Sequence, residues 1–214
     1  MNLRDIGTDE LIDFSQKSIS KVNSDLVALL TATGKIELFF RNLLALELID
    51  QLELPENQDV IREWRRHDLV LLEDKKPLHM IEGKAWIHAD AINPSKLSKE
   101  GAVIRQGLED DIKKLRETNK EFPSAHKTVS IVLSSVDVTD CDPRIMKMIG
   151  YSDAHDKAIK SSGSFEQLSD LGRTKLTEFL RDQPHLHSIK RAPLFEGKFR
   201  GMDVYVEGYF AGVE

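Results

Sequence analysis

The segment from Val60 to Ile87 constrains the fold most, because it contains two apolar runs that fit β-strands and a break between them. DLVLLE begins at Asp68, LHMIEGKAWI ends at Ile87, and DKKP separates them. Such a pattern predicts a β-hairpin. If the turn is centred near Lys75, facing residues have numbers that sum to about 150, so Asp68 lies opposite Glu82.

The flanking segments predict one α/β domain. Residues 9–33 have the pattern of a helix, and residues 35–52 are apolar on most of their surface, which is typical of an enclosed central helix. An amphipathic helix over 100–119 precedes an apolar run over 128–136, so a β-α-β unit is expected. Helical pieces around 143–149 and 165–181, then β-like runs within 195–210, complete the series. The predicted architecture is a mixed β-sheet flanked by helices, with an α-β-β-β-α-β core over about 35–136, an N-terminal helix, an α-rich insertion and a C-terminal β-hairpin.

Composition restricts the compartment and the partners. Cys141 is the single cysteine, which excludes an internal disulfide framework. The N-terminal stretch has no apolar signal-peptide core, and no run approaches the length of a membrane span. A cytoplasmic protein with no membrane partner is expected.

The formal net charge of −6 is unevenly distributed. Residues 1–60 hold 5 Lys and Arg against 11 Asp and Glu, so the remaining residues are balanced, and their basic residues are clustered. The three clusters are centred on Arg65 and Arg66, on Lys113, and on Lys190 and Arg191. They could line a groove that binds a polyanion; the alternative is that each belongs to an ordinary solvated surface.

The predicted hairpin brings two acids and a lysine together. Asp68 faces Glu82, and Lys84 lies two residues further on, so all three side chains share one face of the sheet. Neighbouring carboxylates repel each other unless a cation offsets the repulsion, and a ligand set of oxygens alone selects Mg²⁺ or Mn²⁺. A lysine beside such an ion can orient the attacking water and stabilise a phosphorane-like transition state. The alternative is a solvated sheet face on which Glu82 and Lys84 form ion pairs with neighbours.

Over about residues 35–136 the sequence resembles the PD-(D/E)XK nuclease superfamily, whose fold is restriction-endonuclease-like. Asp68 matches the first acid, Glu82-Gly83-Lys84 matches the Glu/Asp-x-Lys motif, and Glu37 matches an acid on the first core helix. Gln106 is an auxiliary candidate. His67 stands where the family name has proline.

The resemblance implies a Mg²⁺- or Mn²⁺-dependent deoxyribonuclease with Asp68, Glu82 and Lys84 as catalytic residues. Asp68, Glu82 and Glu37 would be the metal ligands, and a homodimer is expected if both DNA strands are cut. Residues expected to contact DNA are Arg65, Arg66, Lys113, Lys190 and Arg191. The competing hypothesis is a non-catalytic binding or assembly module of the same fold. For Glu37 the alternative is an i,i+4 ion pair with Arg41, and for Gln106 it is an ordinary polar position on a helix.

Overall fold

A computed structural model describes residues 3–34, 36–52, 54–92 and 99–214, without the side chains of 99–104. It is an α/β structure in which helices flank a mixed six-stranded sheet. The helices are α1 (Thr8–Ser20), α2 (Ser24–Ala32), α3 (Ile36–Leu52), α4 (His88–Ile92), α5 (Lys99–Glu117), α6 (Pro143–Met146), α7 (Ser152–Ser162) and α8 (Phe165–Arg181). The strands are β1 (Gln58–Trp64), β2 (His67–Glu73), β3 (Lys76–Ile87), β4 (His126–Val136), β5 (Leu186–Phe199) and β6 (Met202–Val213).

The predicted hairpin is confirmed, and so is its register near the acids. Strands β2 and β3 are antiparallel, with Leu69 facing Ile81 and Val70 facing Met80, which are the pairs of the predicted register. Asp74 and Lys75 form that turn with positive φ angles of 49° and 61°, the combination that suits a two-residue hairpin loop. A bulge between Leu71 and Leu72 shifts the register only at the end near the turn.

The predicted β-α-β unit is also present. Helix α5 leads from β3 to β4, and these two strands are parallel. The order across the sheet is β1-β2-β3-β4-β6-β5, so the C-terminal hairpin of β5 and β6 extends the sheet beyond β4. Alternate residues of each strand face opposite helix layers, which separates two main apolar cores. Leu69 and Ile81 pack with α1 and α3, whereas Val70 and Met80 pack with α5 and α8.

Three features differ from the predictions made from sequence. The helix expected over 9–33 is two helices, because Asn23 caps α2 by accepting hydrogen bonds from the backbone amides of Asp25 and Leu26. Helix α3 is not enclosed on most of its surface: Leu38 and Leu46 are 55% and 62% exposed. Strand β5 begins well before residue 195, as an edge strand that accommodates Pro193 because an edge position needs fewer backbone donors.

Among the described residues, no helix has the length and apolar character needed to cross a lipid bilayer.

Candidate active site

The candidate site lies where β3 continues beyond its pairing with β2. The last paired residues are Leu69 and Ile81, whereas β3 runs on to Ile87. Beyond this point two carboxylates accept the hydrogen bonds of β3 backbone amides that a neighbouring strand would otherwise accept. The backbone N–H of Gly83 donates to Oδ2 of Asp68 at 2.8 Å, and that of Ala85 donates to Oε2 of Glu37 at 3.0 Å. Two acids that are 31 residues apart in sequence are therefore held along one strand edge.

A small cavity, partly open to solvent, lies beside these carboxylates. Its volume is about 20 Å³, which is room for one water-sized ligand. Most of its exposed wall is apolar. It is lined by the apolar side chains of Phe40, Leu44, Leu69, Ile81 and Val132, by Gly83, and by the polar residues Glu37, Arg41, Asp68, Lys84 and Ser130. A Cβ atom at Gly83 would lie 3.6 Å from Oγ of Ser130 and 3.7 Å from Oδ2 of Asp68, so an alanine there would fit by contact distance while taking up space next to both oxygens.

Arg41 of α3 balances the charge of Asp68. Its guanidinium donates to Oδ1 of Asp68 at 2.8 Å and to Oε1 of Glu63 at 3.1 Å. Arg41 therefore binds these two acids and does not form the alternative i,i+4 ion pair with Glu37. In the structure Glu37 binds the β3 backbone, and Arg41 binds acids on the β1-β2 hairpin.

Glu82 occupies a different and deeper environment from that of Asp68. It is 2% exposed, and its Oε1 lies 2.5 Å from Nδ1 of His67 and 2.7 Å from Nζ of Lys114. Lys114 also donates to the carbonyl oxygen of Arg66 at 2.8 Å. Because Lys114 comes from α5 and the partner of Asp68 comes from α3, the two carboxylates have their strongest partners on opposite sides of the sheet.

Lys84 connects the cavity to α5. Its Nζ lies 2.7 Å from Oδ2 of Asp111, and Gly107 leaves room for its stem, since a Cβ atom there would be 3.6 Å from Cε of Lys84. Burial lowers the pKa of Lys84, but the hydrogen bond and charge of Asp111 outweigh this, helped by the charges of Glu37 and Asp68, so the pKa is raised. The side chain is therefore an ammonium ion at neutral pH.

The predicted residues thus form two adjoining groups. Glu37, Asp68 and Lys84 line one cavity, and Glu82 belongs to the neighbouring buried cluster with His67 and Lys114. Neither group is a solvated sheet face, although Glu82 and Lys84 both form ion pairs. Within the described ranges, no three His, Cys, Asp or Glu side chains are arranged to hold a metal ion as they stand.

The helix after the motif contributes a residue that the sequence analysis did not select. Gln106 is exposed and donates to Oδ1 of Asp110 at 3.0 Å, whereas Asp111 contacts Lys84. The periodicity of α5 contained the signal: Asp111 follows Gly107 by one helical turn, and it directly precedes the buried Ile112. An acid at the margin of an apolar helix face is a candidate partner for a lysine on the strand below.

The basic residues border two separate clefts instead of one groove. Arg65, Arg66 and Lys113 line a cleft of about 670 Å³ next to His67 and Lys114, together with the acids Asp110, Asp111, Glu117 and Glu121. Arg65 is paired with Glu121 at 2.5 Å.

Lys190 and Arg191 lie on β5, at the opposite edge of the sheet from β1. Lys190 is paired with Asp9 at 3.1 Å. The prediction of one groove shared by all three clusters is therefore wrong, because the C-terminal hairpin places the third cluster beyond β6.

No protein-family model, no curated protein and no solved structure matches this chain.

Proposed function

We propose that this protein is a metal-dependent nuclease that hydrolyses phosphodiester bonds in DNA, with a restriction-endonuclease-like core. The observation that carries the proposal is the convergence of Glu37 from α3, Asp68 from β2 and Lys84 from β3 on a single cavity. These residues come from three separate segments, and Glu82 precedes Lys84 by two positions on the same strand.

The ligand chemistry suits a hard cation. Carboxylate oxygens are the donors that Mg²⁺ and Mn²⁺ prefer, and the cavity beside Glu37 and Asp68 has room for one small ligand. Glu37, Asp68 and Glu82 would hold the ion, which when bound supplies Lewis-acid activation of a water molecule and of a phosphoryl oxygen. For Glu82 to take part, its carboxylate must give up Lys114 or His67, so metal binding competes with an existing ion pair.

Lys84 would act on the substrate and not on the cation. Its raised pKa keeps it positively charged, which suits it to orienting the attacking water and to stabilising negative charge on a phosphoryl oxygen. Asp111 holds the ammonium group at 2.7 Å and so fixes its position. Asp111 is therefore a positioning residue in this proposal.

The cleft beside the site offers a path for the phosphate backbone. Arg65, Arg66 and Lys113 line it and are exposed, and Lys114 connects it to Glu82. Acids interspersed along the same cleft restrict the positive potential to short stretches, so DNA binding is expected to be local and sensitive to salt.

A non-catalytic binding or assembly module is the second candidate, and one observation favours it. The carboxylate of Glu82 is already neutralised by Lys114 and lies against His67, without a metal ion. Such an internal ion pair is expected in a protein that binds no metal, because an unpaired buried carboxylate lowers the free energy of unfolding.

The chain contains its own matched control for the experiment. Glu82-Gly83-Lys84 and Glu196-Gly197-Lys198 are the same tripeptide, but Lys198 is exposed and paired with Asp203 on β6. Lys84→Ala is expected to reduce DNA cleavage in Mg²⁺ by at least about 100-fold, the typical effect of removing one group that stabilises a transition state. Lys198→Ala should cleave at the wild-type rate.

Metal binding separates the two candidates. We expect calorimetric titration with Mn²⁺ to show binding by the wild type and by Lys84→Ala, and loss of binding by Asp68→Asn and Glu82→Gln. Equal cleavage by Lys84→Ala and Lys198→Ala would refute the site. Absence of both Mn²⁺ binding and cleavage in the wild type would refute the nuclease proposal and favour the binding module.

A further inference from the structure

A second polar cleft lies between α8 and β5, away from the candidate active site. Its volume is about 300 Å³, and it is lined by Arg173, Thr174, Thr177, Glu178, Arg181 and Arg191. Positions 173, 177 and 181 follow one another at helical spacing, so they form a continuous stripe along α8. Arg191 approaches this stripe from the edge strand.

The charges in this cleft are only partly compensated. Arg173 is bound to Glu207 at 2.6 Å and to Asp170 at 2.9 Å, and the acid Glu178 is bound to Lys175 at 2.8 Å. Arg181 and Arg191 have no carboxylate partner in the part of the chain that the structure describes, and both are exposed. Two guanidinium groups are therefore available at a cleft whose acids are already paired.

A buried hydroxyl group lies next to these guanidinium groups. Tyr209 is 1% exposed, and Thr177 and Arg191 lie beside its hydroxyl group without forming a hydrogen bond of good geometry. Burial, together with the charge of Glu207, raises the pKa of Tyr209 to about 12, so the hydroxyl remains a donor. Such a hydroxyl group can donate a hydrogen bond to an oxygen atom of a ligand in the cleft.

The register of the sheet separates this cleft from the cavity at Asp68. Lys84 faces Ile131 on β4, Ile131 faces Tyr209 on β6, and Tyr209 faces Arg191 on β5. The row crosses three strand spacings, which is about 14 Å between the backbones of Lys84 and Arg191. The cleft is thus a distinct site on the helix layer of α5 and α8.

We propose that the cleft lined by Arg181, Arg191 and Thr177, with the buried hydroxyl group of Tyr209 beside it, binds the terminal phosphate monoester of a ligand. Two uncompensated positive charges match the charge of about −1.5 to −2 that a monoester carries at neutral pH. Guanidinium groups bind phosphate oxygens through paired hydrogen bonds, and the two hydroxyl groups add further donors. The assignment does not depend on the proposed nuclease activity, since it concerns other residues and a ligand group that need not be cleaved.

Inorganic phosphate is the probe for the first test, with the full chain followed by two-dimensional amide NMR. Phosphate should shift the amide signals of residues 173–181 and 191, and Arg181→Gln and Arg191→Gln should each weaken its binding by about tenfold or more. Lys157→Gln removes an exposed charge from α7 that does not line the cleft, so it should bind phosphate as the wild type does. An equal loss in all three variants, or amide shifts elsewhere in the chain, would overturn the assignment.

A further variant tests the buried hydroxyl directly. Tyr209→Phe should weaken phosphate binding while raising the melting temperature of the free protein, because it removes a buried polar atom that lacks a partner. A variant that binds phosphate normally would remove Tyr209 from the site and leave no explanation for its unpaired hydroxyl, which contradicts the proposal.

The source of the monoester is identified by comparing three further probes. Tighter binding of a 5′-phosphorylated oligonucleotide than of ribose 5-phosphate would assign the cleft to a nucleic-acid end, and comparable binding would assign it to small phosphorylated molecules. If an oligonucleotide with a 5′-hydroxyl end binds as tightly as the phosphorylated one, the monoester assignment is refuted. The nuclease proposal is unaffected by that result, because cleavage is measured separately with the Lys84 variants.

Discussion

Three buried histidines make the stability of this fold strongly dependent on pH below neutrality. His79, His88 and His155 are at most 2% exposed. Burial lowers the pKa of His79 and of His88 to about 3 and that of His155 to about 4, from an ordinary value of 6.5. Each is therefore neutral in the folded chain, while in the unfolded chain each takes up a proton as the pH falls through about 6.5.

The sign and size of the effect follow from this difference in bound protons. The unfolded state binds more protons, so the free energy of unfolding falls as the pH drops from about 6.5 toward the folded pKa values. At pH 5 each histidine contributes a loss of about 2 kcal/mol, and the three together about 6 kcal/mol. Because domains are commonly stable by only about 5–15 kcal/mol, unfolding near pH 5 to 4 is expected.

Urea denaturation at pH 7.5, 6 and 5 measures this dependence, and His155→Leu is the most informative variant. Nδ1 of His155 has no hydrogen-bond partner among the described residues, whereas His79 and His88 bond to Thr128 and to the carbonyl oxygen of Ser134. The variant should lose about one third of the pH dependence whatever its stability at pH 7.5. The exposed His187, changed to Gln, is the control and should retain the full dependence. If His155→Leu keeps the wild-type slope, buried neutral histidines are not its cause.

Two further changes test packing and charge. Gly172→Ala should destabilise the fold by roughly 1–3 kcal/mol, because the added Cβ would meet Cδ2 of His88 at 2.6 Å. Gly107→Ala makes only an ordinary contact and should be neutral, or stabilising by up to about 1 kcal/mol through helix propensity. Urea denaturation measures both changes. Lys113→Gln should reduce the slope of log K for DNA binding against log salt by roughly one unit, measured in Ca²⁺ to prevent cleavage. Lys157→Gln on α7 is the control and should leave the slope unchanged. Equal slopes for the two variants would mean that the cleft does not contact DNA.

Local sequence patterns predicted the part of the fold that depends on short-range geometry. The DKKP turn specifies a two-residue loop in which Glu73 pairs with Lys76. The bulge between Leu71 and Leu72 then brings Leu69 opposite Ile81, and this places Asp68 next to the Glu82-Gly83-Lys84 segment. The long apolar helix was also located correctly. The side of this helix that remains exposed was not predicted. An apolar helix surface does not indicate which neighbouring elements will pack on which side.

The partners of the site residues could not be predicted in the same way. His67 was noted only as a departure from the family pattern, yet it contacts Glu82, and Lys114 was one of several similar lysines on an amphipathic helix. These contacts depend on how α5 docks on the sheet, which no local pattern specifies. Edge strand β5 was recognised only in part, because its basic residues and Pro193 resemble a loop until its position at the end of the sheet is known.

The charge balance of the site explains why a metal ion would have to rearrange it. Its charged residues are four acids and three cations, namely Glu37, Asp68, Glu82, Asp111, Arg41, Lys84 and Lys114. These charges sum to about −1 without any bound ion, and Glu63 adds a further acid beside Arg41. This negative charge attracts a divalent cation, but the ammonium group of Lys114 lies 2.7 Å from the Glu82 carboxylate that the ion would bind, so repulsion weakens binding there unless a cationic side chain moves away. Lys114 is the side chain free to do so, because it is about one-third exposed and lies beside the open cleft, whereas Arg41 is less exposed and bound to two acids. If the site binds metal, Lys114 is therefore the group whose displacement from Glu82 determines the affinity, and the same lysine would then be released toward the cleft through which a phosphate backbone would approach.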